Sequence, residues 1–335
     1  MESVVRAIDV GYGFTKFTSG KDDNGRYLCK SFASITAFAS KKTLGAGVFK
    51  ERDTVNVMLE GQEYEVGQDA ILAASGWSSR NLDMRFVYSE SYKVLMLGAL
   101  KMMNVPKIDV LVLGAPVSNF DDVKDYLRRQ YTGTIELDAN TKVEVSRVIA
   151  LPQPLGGYAW LGKEQGNYEK IKHQLNLIID PGYFTLDWLV ARGTIQLPDR
   201  CGSYPGGMSA VIRALAAEIS KKTNVDMNSL IVMDNIDRYF YEGKPFTLMG
   251  KEYDLKQHAA ASRQVVSRAI EALSTKVGNQ SDIENIILVG GGAKLFASGV
   301  RKAFPHHAIL SSESSSFSNV LGFAAIGEEF AKAGK

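Results

Sequence analysis

LNLIIDPGYFTLDWLV, residues 175–190, carries the decision about the fold. An apolar run through Ile178 and Ile179 ends on Asp180. The chain then turns at Pro181-Gly182, and Thr185 and Asp187 follow as a strand resumes. An acid at a strand tip beside a glycine turn suits either an ordinary loop or a metal-phosphate site. The same arrangement stands near the start, in AIDVGYGFTK, residues 7–16. There a buried strand ends on Asp9, the chain turns through Gly11-Tyr12-Gly13, and Lys16 lies on the returning strand. One such turn is a weak signal. Two Asp-x-Gly turns, each opening one half of the chain, point to a duplicated α/β architecture rather than one doubly wound sheet.

The remaining pattern fits two such halves. In the first, residues 27–35 add a strand, and 55–61 and 62–67 form a hairpin around Glu60-Gly61. Residues 89–103 have helical spacing behind a serine. IDVLVLGAP, 108–116, reads as a buried central strand, 121–130 as a helix, and TIELD and KVEVSRVIAL as two strands. A helix starts near Leu155. In the second half, LIID, TLDWLVA and GTIQLP form a meander, and helices are expected over 208–222, 255–278 and 319–332. NIILVGG, 285–291, is a buried strand that runs into glycines. The boundary falls near 151–157, at Pro152 and Pro154. Domain I is expected over 1–152 with 312–335, and domain II over 153–311.

Composition narrows the function classes. The 335 residues are 45% hydrophobic and 23% charged, an ordinary balance for a soluble protein. With 39 basic and 37 acidic residues the net charge is +2, so no direct nucleic-acid binding by charge is expected. Cys29 and Cys201 form neither a disulfide framework nor a CxxC pair, and the four histidines show no zinc spacing. No secretory leader is visible, and no apolar run approaches about 18 residues. A cytoplasmic protein that does not enter membranes is the expectation.

Five stretches carry the candidate chemistry. At 7–16, Gly11 and Gly13 let backbone N–H groups approach an anion. Asp9 suits a hydrated Mg²⁺, and Lys16 a phosphate. At 178–187, Asp180, Gly182 and Thr185 repeat the arrangement, and the two turns together could clamp a polyphosphate. At 286–295, Gly290-Gly291-Gly292 lead from a strand into a helix N-terminus. Gly206-Gly207 precede another helix. Gln153, fixed between two prolines, cannot abstract a proton, but its amide can orient a water. No GxxxxGK[ST] or GxGxxG occurs. Each stretch also has a plainer reading as a turn or a capped crossover.

The order of these five resembles the actin/Hsp70/sugar-kinase ATPase superfamily, over nearly the whole chain. The forms AIDVGYGFTKF and LIIDPGYFTLDWLV are most similar to bacterial actin-like proteins of the ParM/StbA plasmid-segregation type. The opening, followed by CKSFASI, resembles the PRTRC system protein D group of that set. The resemblance implies a duplicated actin-like (ribonuclease H-like) α/β fold, two domains around a nucleotide cleft. It implies ATP (or GTP) with Mg²⁺ held through water by Asp9 and Asp180, and Gln153 and Asp180 orienting the attacking water. Gly11, Tyr12, Gly13 and Lys16 then belong to the first phosphate loop, and Gly182, Tyr183 and Thr185 to the second. Gly206 and Gly207 match paired glycines before a helix, and Gly290, Gly291 and Gly292 the adenosine loop. Glu218 and Lys222 are candidates for the ribose. Partners implied are further copies in a head-to-tail filament and a DNA-binding adaptor.

The sequence departs from that pattern at Tyr12, where relatives carry a small hydroxyl residue, and at Pro181, Tyr183 and Phe184. The bulky pair would crowd a γ-phosphate or point away from it. Two alternatives stay open: a small-molecule kinase, with Asp187 as its only nearby extra acid, and a nucleotide-binding adaptor with little turnover.

Overall fold

The structure is a computed structural model that describes residues 3–39, 50–74 and 80–334. The chain forms two compact units, Met1–Gly156 with Val320–Lys335, and Gly157–Asn319. The boundaries read from the sequence, 152/153 and 311/312, fall a little before these.

The first unit is built on a sheet whose strands were legible as apolar runs or as the strands that follow them across a turn. β1 (Val5–Val10), β2 (Phe14–Lys21) and β3 (Tyr27–Ala33) are antiparallel neighbours. On the other side of β1, β8 (Val110–Ala115) and β11 (Val148–Pro152) pair in parallel, giving the order β11-β8-β1-β2-β3. A smaller sheet holds β4 (Ala37–Phe38), β5 (Thr54–Leu59) and β6 (Gln62–Gly67). Its hairpin turns at Glu60 and Gly61, with φ of 51° and 82°, the left-handed pair that a tight two-residue turn needs. Helix α1 (Ala70–Ala73) follows. A third sheet joins β7 (Lys107–Ile108), β9 (Gly133–Glu136) and β10 (Lys142–Val145). KVEVSRVIAL is therefore two strands in two sheets, β10 and β11, divided at Ser146 and Arg147. Helix α2 (Glu90–Met103) starts where the Ser89 hydroxyl accepts from the Tyr92 amide, and α3 (Phe120–Tyr131) follows β8. Ile8, Phe17, Leu95, Leu111 and Leu127 meet in the core of this unit.

The chain enters the second unit within α4 (Gln153–Glu164) and leaves it within α10 (Ser318–Lys332). After α5 (Tyr168–Ile171), β12 (Leu175–Pro181) pairs antiparallel with β13 (Leu186–Arg192), which carries β14 (Ile195–Gln196) and β15 (Gly202–Tyr204). On the other side of β12 lie β18 (Asn285–Leu288) and β19 (Ala308–Ser311), both parallel. The plan of the first unit is thus repeated, with β12 in the place of β1 and β18 in that of β8. Helices α6 (Met208–Thr223), α8 (Ala259–Val277) and α9 (Ala293–Ala303) bury Ile212, Leu215, Ile270 and Phe296 against one sheet face.

Neither α5 nor the strands β15 and β19 were read from the sequence, and two larger features were missed as well. One is α7 (Leu230–Glu242) with the hairpin β16 (Phe246–Leu248) and β17 (Lys251–Tyr253). The other is a break in the helix expected over 255–278. Residues 255–258 form a separate 3₁₀ turn, begun by the Asp254 carboxylate accepting from the Lys256 amide, and α8 starts after it.

Candidate functional site

In the first unit, β1 delivers Asp9 to its tip, where the side chain is buried. The chain reverses as the Gly11 amide donates to the Phe14 carbonyl at 3.1 Å. Ser34 backs the turn. Its hydroxyl donates to the Gly11 carbonyl at 2.6 Å, and its amide to the Gly13 carbonyl at 2.9 Å. Lys16 sits on β2 in the register position opposite Asp9, so both side chains leave the same face. Gln153, the first residue of α4, donates from Nε2 to Asp9 Oδ1 at 2.6 Å. That contact needs Gly114 at the end of β8, where a Cβ would stand 2.8 Å from Asp9 Oδ1 and 3.1 Å from Gln153 Cγ. Burial pushes the Tyr92 phenol far above its usual pKa, and the charge of Asp9 adds to the effect. Tyr12 turns away from the small-hydroxyl role. Its ring stacks on Phe86, with centroids 5.0 Å apart, and its hydroxyl donates to the Asp83 carbonyl at 3.1 Å.

The second unit repeats the turn. The Gly182 amide donates to the Thr185 carbonyl at 2.8 Å, the same step of three residues as Gly11 to Phe14. Asp180 is buried at the tip of β12 and accepts from Asn319 Nδ2 at 2.7 Å. Asp187 holds the place that Lys16 holds in the first unit, opposite the turn's aspartate in register. It is buried, accepts from the Thr185 hydroxyl at 2.5 Å, and has its pKa pushed up to about 6 by that burial.

The three glycines after β18 have distinct parts. Gly290, at φ +79°, lies so close to Asp180 that a Cβ would come 1.9 Å from Oδ1. Gly292 donates its amide to the Pro181 carbonyl at 2.9 Å. Around Gly291 nothing stands within 4 Å of where a Cβ would be. Gly206-Gly207 have a different part. The amides of Gly207, Met208 and Ser209 donate to the carbonyls of Phe184, Gly182 and Tyr183. The start of α6 is therefore stitched to the turn, and those amides are taken by protein carbonyls rather than directed at an anion. Tyr183 packs against the core of this unit.

Glu218 and Lys222 are not brought to the turn. They pair with each other at 3.1 Å, and Glu218 also meets His258 Nδ1 at 3.1 Å. His258 first, then Lys222, holds the Glu218 carboxyl below its usual range. They lie about three and four turns along α6 from Gly207, at least 15 Å or so by helix rise.

Each unit thus offers a buried carboxylate held by a side-chain amide, beside a glycine turn. Among the described residues no group of three or more His, Cys, Asp or Glu side chains could cage a metal. A cation at Asp9 or Asp180 would rest on one or two carboxylates and complete its shell from water and ligand oxygens. That donor chemistry fits Mg²⁺, which keeps several waters and works through one or two carboxylates plus phosphates. Sequence reasoning missed Ser34, Gly114 and Asn319. Gly114 ends an apolar strand and gave a faint signal; the other two sit in no local motif. No described helix is long and apolar enough to cross a membrane.

Comparison with known proteins agrees with the fold. Residues 7–156 match the model of the actin-like proteins N-terminal domain, and residues 178–302 that of the archaeal actin homologue MreB-like C-terminal domain. No curated protein matches the chain. Among solved structures, the archaeal actin homologue Ta0583 aligns with a TM-score of 0.76 at 19% identity, over 97% of this chain and 99% of that one. A complex of Ta0583 with ADP aligns at 0.75 and 20%, with the same coverage. A 15-stranded ParM filament from Clostridium botulinum aligns at 0.75 and 22%, over 98% of this chain and 100% of that one.

Proposed function

The chain belongs to the actin-like proteins, and we propose that it is a Mg²⁺-dependent ATPase (or GTPase) of the ParM type that assembles head to tail into filaments. The observation that carries this reading is the repeated turn. Gly11 to Phe14 and Gly182 to Thr185 close by the same hydrogen bond, each beside a buried aspartate held by an amide side chain. Paired backbone cradles with carboxylates at hand for the cation suit polyphosphate binding.

The roles follow from position. The Gly11 and Gly182 amides close the two turns, and the phosphates would be met by the backbone of Tyr12 and Gly13 on one turn and of Tyr183 and Thr185 on the other. Lys16 adds a point charge. Asp9 and Asp180 receive the hydrated cation, and a bound Mg²⁺ supplies neutralisation of phosphate charge. Gln153 donates Nε2 to Asp9, which fixes the amide, and its Oε1 is assigned as the acceptor for the attacking water. Gly291, with open space around it, takes the nucleoside end together with Gly290 and Gly292.

Head-to-tail contacts are heterologous and need not close, so they generate polymers. The nearly neutral chain, at net charge +2, suits reaching plasmid DNA through a separate basic adaptor rather than directly. Such work is cytoplasmic. The kinase reading gains nothing from Asp187, which is buried and bonded to Thr185. The low-turnover reading rested on crowding by Tyr183 and Phe184; both are partly buried, and Tyr183 packs against the core of its own unit.

Sedimentation and light scattering with Mg-ATP, Mg-GTP, the diphosphates and no nucleotide test the proposal, alongside phosphate release. Assembly that requires Mg²⁺ and a triphosphate is expected. A flat pellet with every nucleotide over a wide protein range ends the filament reading.

A further inference from the structure

A cavity of about 620 Å³ opens in the first unit at the far end of β1 from Asp9. Its walls are the start of β1 with Arg6, the end of β2 from Thr18 to Lys21, Tyr27, and the last turns of α10 with Glu328 and Lys332. It exists because the two strands part there. The β1–β2 ladder stops at the Ile8–Phe17 pair; beyond it the Ala7 amide donates to the Thr18 hydroxyl at 2.9 Å. β2 bulges between Thr18 and Gly20, and Gly20 takes φ +143°. A bulge re-aims side chains at a strand end and is a built feature.

The charges in this cavity are unequal. Arg6, Lys21 and Lys332 face one lining carboxylate, Glu328. Lys21 already pairs with Glu328 at 2.6 Å, and Lys332 with Glu329 at 2.9 Å. Arg6 has no carboxylate partner among the described residues. Its Nη1 donates to the Val5 carbonyl at 2.8 Å, while its Nε is buried with no acceptor. Burial lowers the guanidinium's pKa, and no neighbouring charge offsets it. Arg52 in the same unit shows what that edge does when satisfied: Nε and Nη2 grip the two oxygens of Glu65 at 2.6 and 2.8 Å.

We infer that this cavity binds a small multivalent oxyanion, a phosphate- or carboxylate-bearing molecule, with Arg6 as its anchor. Turning the Nε–Nη2 edge into the cavity presents the fork that planar oxyanions fit, with Lys21 and Lys332 at the rim. The site shares no residue with either glycine turn and does not depend on what they bind.

The test is a titration of the full chain, saturated with the nucleoside diphosphate so that the glycine turns are filled and the chain stays unassembled, with inorganic phosphate and with citrate. Chloride at matched ionic strength is the control. Backbone amide shifts of Ala7, Ser19 and Gly20 are the readout. Saturable shifts are expected with at least one probe, weakened at least tenfold in Arg6→Met and several-fold in Arg6→Lys, which keeps the charge and loses the fork. Saturation by phosphate alone assigns a phosphate ligand, and by citrate alone a carboxylate ligand. Linear shifts equal to chloride's would reveal an adventitious ion only and overturn the proposal. So would the same binding curve in both variants. If Arg6→Met does not fold, an unchanged affinity in Arg6→Lys is enough to discard Arg6 as anchor.

Discussion

Asp187 is a carboxylic acid placed where ionising is costly. It lies across the β12–β13 pair from Asp180, buried, with the Thr185 hydroxyl donating to one oxygen. Its pKa rises from 3.8 to about 6 because burial outweighs the hydrogen bond from Thr185. The folded state therefore holds this proton more tightly than the unfolded chain does. Stability is highest while the group is protonated and is lost as pH rises from about 4 to about 6; above that the penalty is constant. At 1.36 kcal/mol per pKa unit the penalty is about 3 kcal/mol, to order of magnitude. Asp187→Asn keeps an acceptor for Thr185 and removes the charge. Urea melts at pH 4 and pH 7 should show the variant gaining on the parent at the higher pH. An equal difference at both values would mean that Asp187 is not a strained acid. At this same scale, Asp9, Asp180 and Gln153 were legible because strand tips, glycine turns and flanking prolines are local signals. Asn319 was not, because its meaning lies in a hydrogen bond to a residue 139 positions away.

Elements meet at glycines that no side chain can replace. Gly290 joins two reasons for being glycine: φ of +79° and an Asp180 oxygen 1.9 Å from any Cβ. Gly290→Ala should lose about 1–3 kcal/mol to backbone strain, more where Asp180 is pushed off Asn319, and should weaken nucleotide binding. Gly291→Ala, one residue on, meets nothing within 4 Å and should stay within about 0.5 kcal/mol of the parent. Thermal melts of the pair decide this; equal losses would show that the packing around Asp180 is not what Gly290 serves. Gly207 makes the matching join between α6 and the turn, with a Cβ 2.5 Å from the Gly182 carbonyl. Most elements could be read in advance, since buried parallel strands are continuous apolar runs and α2 is announced by Ser89. Helix α7 could not. Its inward face includes Asp234 and Asp237, acids that interrupt the apolar stripe by which a helix is recognised. The break before α8 was hidden for a related reason, since Asp254 acts as a cap within what reads as one polar-apolar helical pattern.

Across the whole chain the duplication extends beyond the sheets to the two crossovers. Gln153 begins α4, the helix in which the chain passes into the second unit, and it holds Asp9. Asn319 lies in α10, in which the chain returns, and it holds Asp180. Each turn's aspartate is thus oriented by an amide from a crossover helix. The two amides differ in reach. Gln153 spends its Nε2 on Asp9, and Asn319 has its Oδ1 buried with no hydrogen-bond partner. In the proposed function only the first meets the attacking water, so the two substitutions should separate. Gln153→Ala leaves the glycine turns in place and should still assemble with Mg-ATP. Phosphate release should fall about 10²-fold, the scale of a misplaced nucleophile, and filaments should outlast those of the parent. Asn319→Ala leaves Asp180 without its buried donor and should weaken nucleotide binding before hydrolysis is reached. Single-turnover phosphate release read beside nucleotide affinity distinguishes them. If Gln153→Ala releases phosphate at the parental rate, Gln153 only props Asp9 and the water is oriented elsewhere.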